Sequence, residues 1–190
     1  MLKLSILLTI VLGVGCACGV RAQDSGDHAR DLAAALDKTK YKKKEKKDLK
    51  IEFYIDIRNE VAVRPNPADY SGVYLSDGYK IDLTASAAGE AAATGYDSPD
   101  LNGKVVNFEL RDGQIKGAVL TGTKVYDNGE SHKFEAVFVN RTVTMGKNKD
   151  NIESQDRSFG LGFVENRPMI SGDEENDSQV MTDRVFMARK

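Results

Sequence analysis

The side chains best suited to acid–base or metal chemistry are thinly spread along this chain. There are two histidines, His28 near the start and His132 in the second half. His132 shares the two-residue alternation of Phe134, and we interpret it as a half-exposed histidine on a strand. The sequence contains no Gly-x-Ser-x-Gly, His-Glu-x-x-His, P-loop or dinucleotide-binding fingerprint. Because the chain has few of the residues that catalytic triads, zinc sites and nucleotide-binding sites need, we predict no catalytic residues, no metal site and no cofactor.

Carboxylates are abundant, and a glycosidase needs only one well-placed pair of them. Here they alternate outward on expected strands or occupy turns, as Asp82, Glu109 and Asp112 do, which is typical of solvated surface. Residues 173–177 are rich in oxygen ligands for calcium but lack the Asp-x-Asp-x-Asp-Gly spacing. We interpret this segment as an acidic loop. The sequence therefore favours a non-enzymatic protein over an enzyme.

Residues 1–22 have the layout of a secretory signal peptide. Lys3 precedes an apolar run over residues 4–14, and small residues end the segment at Ala22. The apolar run is shorter than the about 20 residues that a membrane-spanning helix needs. We therefore predict cleavage before Gln23 and an exported protein, either periplasmic or extracellular.

Lipidation at Cys16 is the alternative to signal-peptide cleavage after Ala22. Cys16 follows Leu12-Gly13-Val14-Gly15, which partly resembles the lipobox of bacterial lipoproteins, although Gly13 stands where that motif has leucine. A lipidated Cys16 would become the N-terminus and would anchor the protein to a membrane. Cleavage after Ala22 would instead remove both cysteines and leave a chain without a thiol.

Residues 23–49 are expected to form a helical, lysine-rich arm or tether. Residues 31–36 are strongly helix-forming, and we predict a marginal helix over about residues 27–47. Residues 38–50 carry a net charge of +6, with one aromatic residue and no arginine, which disfavours nucleic acid as a partner. We interpret the run as a spacer or as a surface for an anionic membrane or an acidic envelope polymer. The lysines expected to make that contact are Lys42, Lys43, Lys44, Lys46 and Lys47.

From about residue 50 onward, apolar residues recur at every second position, which is typical of half-buried strands. Dipeptides that favour tight hairpin turns separate these strands. Two later strands are expected over residues 157–164 and 180–188, the second of which is ambiguous with a short helix. Two longer polar loops are expected over residues 146–155 and 172–178. The turns are expected at Asp77-Gly78, Ala88-Gly89, Asp112-Gly113 and Asn128-Gly129.

We therefore predict an all-β domain over residues 50–190, built as an antiparallel meander of about eight strands and preceded by the helical arm. No helical segment separates the strands, so parallel pairing is disfavoured. A sheet of this size must hide its edges, and closure into a barrel does so most simply. A two-sheet sandwich is the rival arrangement.

Aromatic residues fall on strands that would line the interior of such a barrel. An eight-stranded barrel is just wide enough either to fill with side chains or to hold one small ligand. The leading hypothesis is a small or lipidic ligand inside the barrel. The alternative is a structural or interaction module with a filled interior and a basic arm that contacts anionic surfaces. The candidate ligand residues are Tyr74, Tyr79, Phe108, Phe134, Phe138 and Asn140, of which Asn140 is also a candidate hydrogen-bonding tie in the core.

The segments Asp69-Tyr-Ser-Gly-Val-Tyr74, Phe108-Glu-Leu-Arg-Asp112 and Phe134-Glu-Ala-Val-Phe-Val-Asn-Arg-Thr142 resemble those of a group of uncharacterised exported bacterial proteins. The likeness covers roughly residues 50–165 and implies one coherent domain without a particular activity. The first hairpins, together with Thr94-Gly-Tyr96, are also similar to those of avidin-like and lipocalin-like barrels. Those families usually have a tryptophan where this chain has Tyr74, so biotin binding is not implied.

Overall fold

The structure is a computed structural model that describes residues 24–46, 49–97, 105–168 and 180–190. Within these ranges it contains one α-helix, one short 3-10 helix (Pro67–Tyr70) and ten antiparallel strands, which confirms the predicted all-β class and the N-terminal helix. The predictions for residues 1–22 with Cys16, for Lys47 and for the loop over 172–178 fall outside the described residues. The elements are α1 (Asp24–Ala35), β1 (Lys38–Lys46), β2 (Leu49–Val61), β3 (Gly72–Ser76), β4 (Tyr79–Ala85), β5 (Glu90–Asp97), β6 (Val106–Lys116), β7 (Val119–Tyr126), β8 (Ser131–Asn148), β9 (Asn151–Pro168) and β10 (Val180–Arg189).

Eight of the strands, β3 to β10, form a ring. Each pairs with the next in chain order, and β10 pairs back onto β3. The predicted meander of about eight strands is therefore confirmed. Ring closure pairs the first strand of the meander with the last, so neither remains as a free edge.

A further sheet leaves the ring because β8 and β9 are each 18 residues long. One side of β8 pairs with β7 over 131–137 and then with β2 over 139–146, while β9 follows its other side. β2 in turn pairs with β1. The four strands β1, β2, the second half of β8 and the first half of β9 thus form a sheet outside the ring, which we call the extension.

α1 lies on the outer face of the sheet, where the ring meets the extension. Gly162 permits a close approach, because a Cβ at this position would lie 2.2 Å from Cδ1 of Leu36. The arm is therefore packed against the domain by apolar contacts at its helical end. The residues buried in this contact are Ala29, Ala33, Leu36, Val119, Val137 and Val139.

The prediction of a helix over residues 27–47 is wrong in its second half. α1 ends at Ala35, and Lys38–Lys46 forms the strand β1. Lysine is an acceptable helix former, but as a strand this segment pairs with β2 along its whole length. Long lysine stems can also cover apolar residues of the neighbouring strand. Pairing with a distant segment has therefore overridden local helix propensity.

Three of the four predicted turns are confirmed, since Gly78, Gly89 and Gly129 all have positive φ between consecutive strands. The turn predicted at Asp112-Gly113 is wrong. The dipeptide lies inside β6, at a bulge where the pairing with β7 shifts register. The hairpin turn falls later, at Gly117. One extra residue in a strand reverses which side chains face inward, and this reversal buries Ile115 in the same core as the earlier Leu110.

The polar loop expected over residues 146–155 is also absent from the structure as described. β8 ends at Asn148 and β9 begins at Asn151, and these two residues pair. The side-chain oxygen of Asn148 accepts a hydrogen bond from the backbone N–H of Asp150 at 2.9 Å. Asparagine can close a tight turn in this way, so the segment is a hairpin that extends both strands.

Candidate functional site

The interior of the ring holds a packed aromatic core. The rings contact one another directly: Tyr70 stacks on Phe138 with a centroid distance of 4.0 Å, and Phe134 meets Phe163 edge-on at 5.3 Å. Aromatic side chains of the described residues thus contact one another where the sequence analysis placed a ligand. The five predicted aromatic residues all face inward and are buried in this single cluster, namely Tyr74, Tyr79, Phe108, Phe134 and Phe138.

A charged pair that was not predicted from the sequence lies in the same interior. Nζ of Lys124 lies 2.8 and 2.9 Å from the two carboxylate oxygens of Asp97, and the hydroxyl of Tyr126 donates to the same carboxylate. Lys124 is 3% exposed and Asp97 is 6% exposed. Two phenylalanine rings each have their centroid 4.4 Å from Nζ. Alternation along β7 could have predicted that Lys124 faces inward, because it lies four residues after Leu120, which is buried in the core.

The contacts of Lys124 favour a structural role over a chemical one. An amine acts as a nucleophile only when it is deprotonated and accessible. Here Nζ is buried, donates to a carboxylate and faces aromatic rings, so it is not accessible to a substrate. The pair therefore fixes β7 to the end of β5 inside the ring.

A pocket of about 340 Å³ lies at the mouth of the ring, where β8 and β9 leave it for the extension. Phe159 separates this pocket from the aromatic core, since its ring lies 6.3 Å from that of Phe138 and 6.5 Å from that of Tyr70. We call it the mouth pocket. Its lining residues are Glu60, Asn140, Arg141, Thr142, Arg157, Ser158 and Phe159.

Sheet register explains which side chains meet in the mouth pocket. Asn140 lies opposite Glu60 on one side and Phe159 on the other, and Thr142 lies opposite Arg157. Residues directly opposite on neighbouring strands share a face of the sheet. The interpretation of Asn140 as a buried core tie is wrong, because its strand has left the ring at this point and its side chain is exposed.

Arg141 is among the residues that line the mouth pocket, but its side chain makes its contacts on the opposite face of the same sheet. Its Nε donates to Oδ1 of Asn59 at 2.9 Å, and its guanidinium lies 3.8 Å from the ring centroid of Phe186. Burial lowers the pKa of Arg141 to about 10, so it remains charged at neutral pH. Asn59 donates in turn to Oδ1 of Asp37 from its backbone N and its Nδ2, at 2.8 and 3.0 Å. This chain of contacts ties the junction of α1 and β1 to the ring.

The strand β1 places lysines on one face of the extension. Lys42 lies opposite Phe53, and alternate lysines of β1 share that face. Lys43 lies on the other face, opposite Glu52. We call the set Lys38, Lys40, Lys42, Lys44 and Phe53 the lysine face; its last four members line a shallow pocket of about 310 Å³. The structure thus brings together Lys42 and Lys44 of the predicted surface-binding residues, with Lys46 at the end of β1.

The lysine face continues into an apolar strip towards the ring. Ile55 lies opposite Met145 and Ile57 opposite Val143, and all four are half-buried. Phe53 is 39% exposed at the outer end of this strip. Lysines at the edge and apolar residues beside them make this face amphipathic.

In the described parts of the chain, no three His, Cys, Asp or Glu side chains are grouped so that they could bind a metal ion. The helices found there are too short or too polar to cross a bilayer. The chain matches no protein-family model, no curated protein and no solved structure. The likeness to exported bacterial proteins and to avidin-like and lipocalin-like barrels therefore stays a prediction.

Proposed function

We propose that this chain is an exported interaction module that binds anionic membrane surfaces through the lysine face. The observation that carries the proposal is the register of β1 on β2, which aligns four lysines on one side of the sheet beside Phe53. The packed interior of the ring supports this function over a ligand held inside the ring. The signal-peptide pattern of residues 1–22 supports a location where membrane surfaces are accessible.

The spacing of the lysines suits a flat, negatively charged surface. Alternate residues of a strand are about 6.6 Å apart, so Lys38 to Lys44 span about 20 Å. Each lysine near an anionic leaflet contributes about 1 kcal/mol, and four of them would contribute about 4 kcal/mol, or roughly a thousandfold in affinity. This attraction decays over a Debye length of about 8 Å at physiological salt, so binding should weaken steeply as salt is added.

The apolar part of the face favours a membrane over an acidic polymer. Phe53 is exposed among the lysines, and Ile55 lies next to it on the same face. Amphipathic surfaces bind bilayers because basic groups meet the headgroups while apolar groups enter the acyl boundary. An acidic polymer in water offers only the first of these contacts.

Vesicle co-sedimentation tests the proposal. The purified protein is mixed with phosphatidylcholine vesicles, with or without phosphatidylglycerol, over a range of salt concentrations. Its intact mass is recorded first, because an acyl chain on Cys16 would bind vesicles independently of charge. The test variant replaces Lys40, Lys42 and Lys44 with glutamine. The matched control makes the same change at three exposed lysines elsewhere, Lys116, Lys133 and Lys190.

We expect binding only to vesicles with phosphatidylglycerol, and roughly a hundredfold or greater loss in the test variant but not in the control. Equal losses in both variants would show a non-specific effect of net charge and would overturn the proposal. Unchanged binding with new self-association of the test variant would also overturn it. In that case the lysines would serve to keep the edge strand β1 from pairing with other chains.

A further inference from the structure

We propose that the mouth pocket binds a small hydroxylated anion, meaning a carboxylate or phosphate that also carries hydroxyl groups. The inference is independent of the proposed membrane binding, because the mouth pocket and the lysine face lie on opposite faces of the extension. It also differs from a ligand inside the ring, since Phe159 closes the aromatic core beneath the pocket.

Arg157 lines the pocket and supplies the attraction for an anion. Arg64 is not a lining residue, but its guanidinium carbon lies 5.0 Å from the ring centroid of Phe159, which is one. Among the described residues, neither guanidinium has a hydrogen-bond or ion-pair partner. A guanidinium presents a planar fork of donors that matches the oxygens of a carboxylate or phosphate. A third arginine, Arg189, is nearby but already donates to the backbone oxygen of Asp69 at 2.8 Å.

Acceptors on the other side of the pocket favour hydroxyl groups on the ligand. Glu60 lines the pocket on β2, two strands away from Arg157 on β9, which is a separation of about 10 Å. An ionised carboxylate only accepts hydrogen bonds, so Glu60 would repel an anion and bind a hydroxyl. Asn140 and Thr142 lie on β8 between the two and offer both donors and acceptors. The pocket is therefore polarised, with its anion-binding side at β9.

The size of the pocket limits the ligand. A volume of about 340 Å³ is at the lower end of the range for small-molecule sites. Phe159 gives it one apolar wall, against which the carbon skeleton of a small ligand can pack. A short-chain sugar acid or a polyol phosphate has the required combination of charge, hydroxyls and size.

Titration by NMR with three small probes tests this inference. Glycerol 3-phosphate and glycerate carry an anionic group with hydroxyls, and glycerol carries the hydroxyls alone. The reporters are the side-chain amide of Asn140 and the Nε–H of Arg157. The test variant is Arg157→Gln, and the matched control is Arg111→Gln, which removes the same charge from an exposed position on β6 outside the pocket.

We expect saturable shifts of both reporters with at least one of the two anions, weaker binding of glycerol, and roughly tenfold or greater loss of affinity in Arg157→Gln. Asn140→Ala should also weaken binding, while circular dichroism confirms that each variant is folded. Phosphatidylglycerol micelles distinguish a lipid headgroup from a free molecule as the source of the anion, and binding of either at the reporters supports the pocket. Glycerol binding as tightly as the anions, or equal losses in Arg157→Gln and Arg111→Gln, would overturn the proposal.

Discussion

Replacing Asp97 with asparagine should destabilise the protein strongly, because it removes the negative charge beside Lys124 in the interior of the ring. The substitution keeps the shape of the side chain. Lys124 is only 3% exposed and donates to both carboxylate oxygens, so its charge would remain buried without the Asp97 carboxylate. Removing one partner of a buried ion pair typically costs about 3–5 kcal/mol.

This cost is large against the stability of a domain. Folded domains are stable by about 5–15 kcal/mol in total, and for a domain of this size each 1 kcal/mol lowers the melting temperature by roughly 2–4 °C. The aromatic rings around Nζ offset part of the loss, since a desolvated cation–π contact is worth up to about 2 kcal/mol. We therefore expect about 3 kcal/mol for Asp97→Asn, near the lower end of the range.

A double-mutant cycle separates the charge effect from packing. Lys124→Met alone leaves the carboxylate of Asp97 buried without its cation and should cost a similar amount. The double variant contains no unpaired charge, and replacing a buried ion pair by neutral residues is often close to neutral. The two single costs should therefore exceed the cost of the double variant by several kcal/mol.

Urea unfolding monitored by circular dichroism measures each free energy of unfolding. Asp127→Asn is the matched control, because Asp127 is an exposed carboxylate that accepts one hydrogen bond from Asn107 at 2.9 Å; its loss should cost less than about 1 kcal/mol. A cost below about 1 kcal/mol for Asp97→Asn, or additive single costs, would refute the view that this pair is desolvated and coupled.

Three further predictions concern stability and can be measured in the same way. Gly162→Ala should cost about 1–3 kcal/mol because its Cβ would collide with Leu36, and it should cost less in a Leu36→Ala background; equal costs in both would contradict the close approach. Burial raises the pKa of Tyr74, so its contribution to the free energy of unfolding is full below pH about 10, where the unfolded side chain titrates, and falls by up to roughly 1.4 kcal/mol per pH unit above it. Tyr74→Phe should therefore make the loss of stability at alkaline pH less steep, and an unchanged slope would contradict this. Asp112 has φ of 52°, so Asp112→Val should cost about 1–2 kcal/mol while Asp112→Gly should not destabilise; equal effects would argue against the bulge.

Much of the ring could be predicted from local patterns. Two-residue alternation on β4 predicts that Tyr79, Ile81 and Leu83 face inward, and all three are buried. Glycines at 78, 89 and 129 marked turns because their positive φ suits hairpins. These features depend on residues close together in the sequence, so the chain alone carries them.

The Asp112-Gly113 bulge and the strand β1 could not be predicted in the same way. The same dipeptide that ends a strand elsewhere lies within β6, and only the pairing with β5 and β7 decides between the two outcomes. The lysine run of β1 has helix-compatible composition, and its conformation depends on β2. In both cases, partners elsewhere in the sheet outweighed local preference.

The sequence by itself determined the class of the fold, the direction of most core side chains and the presence of a basic segment. Alternation and turn chemistry act within a few residues, and each is visible in the chain. Only the tertiary structure decided that aromatic rings pack together inside the ring, that Lys124 pairs with Asp97, and that Asn140 opens onto a pocket. Each of these depends on the register between strands, and the mouth pocket combines residues of β2, β8 and β9 that are up to about 100 positions apart. Register depends on the burial of side chains summed over whole strands. A pattern of a few neighbouring residues therefore cannot predict it.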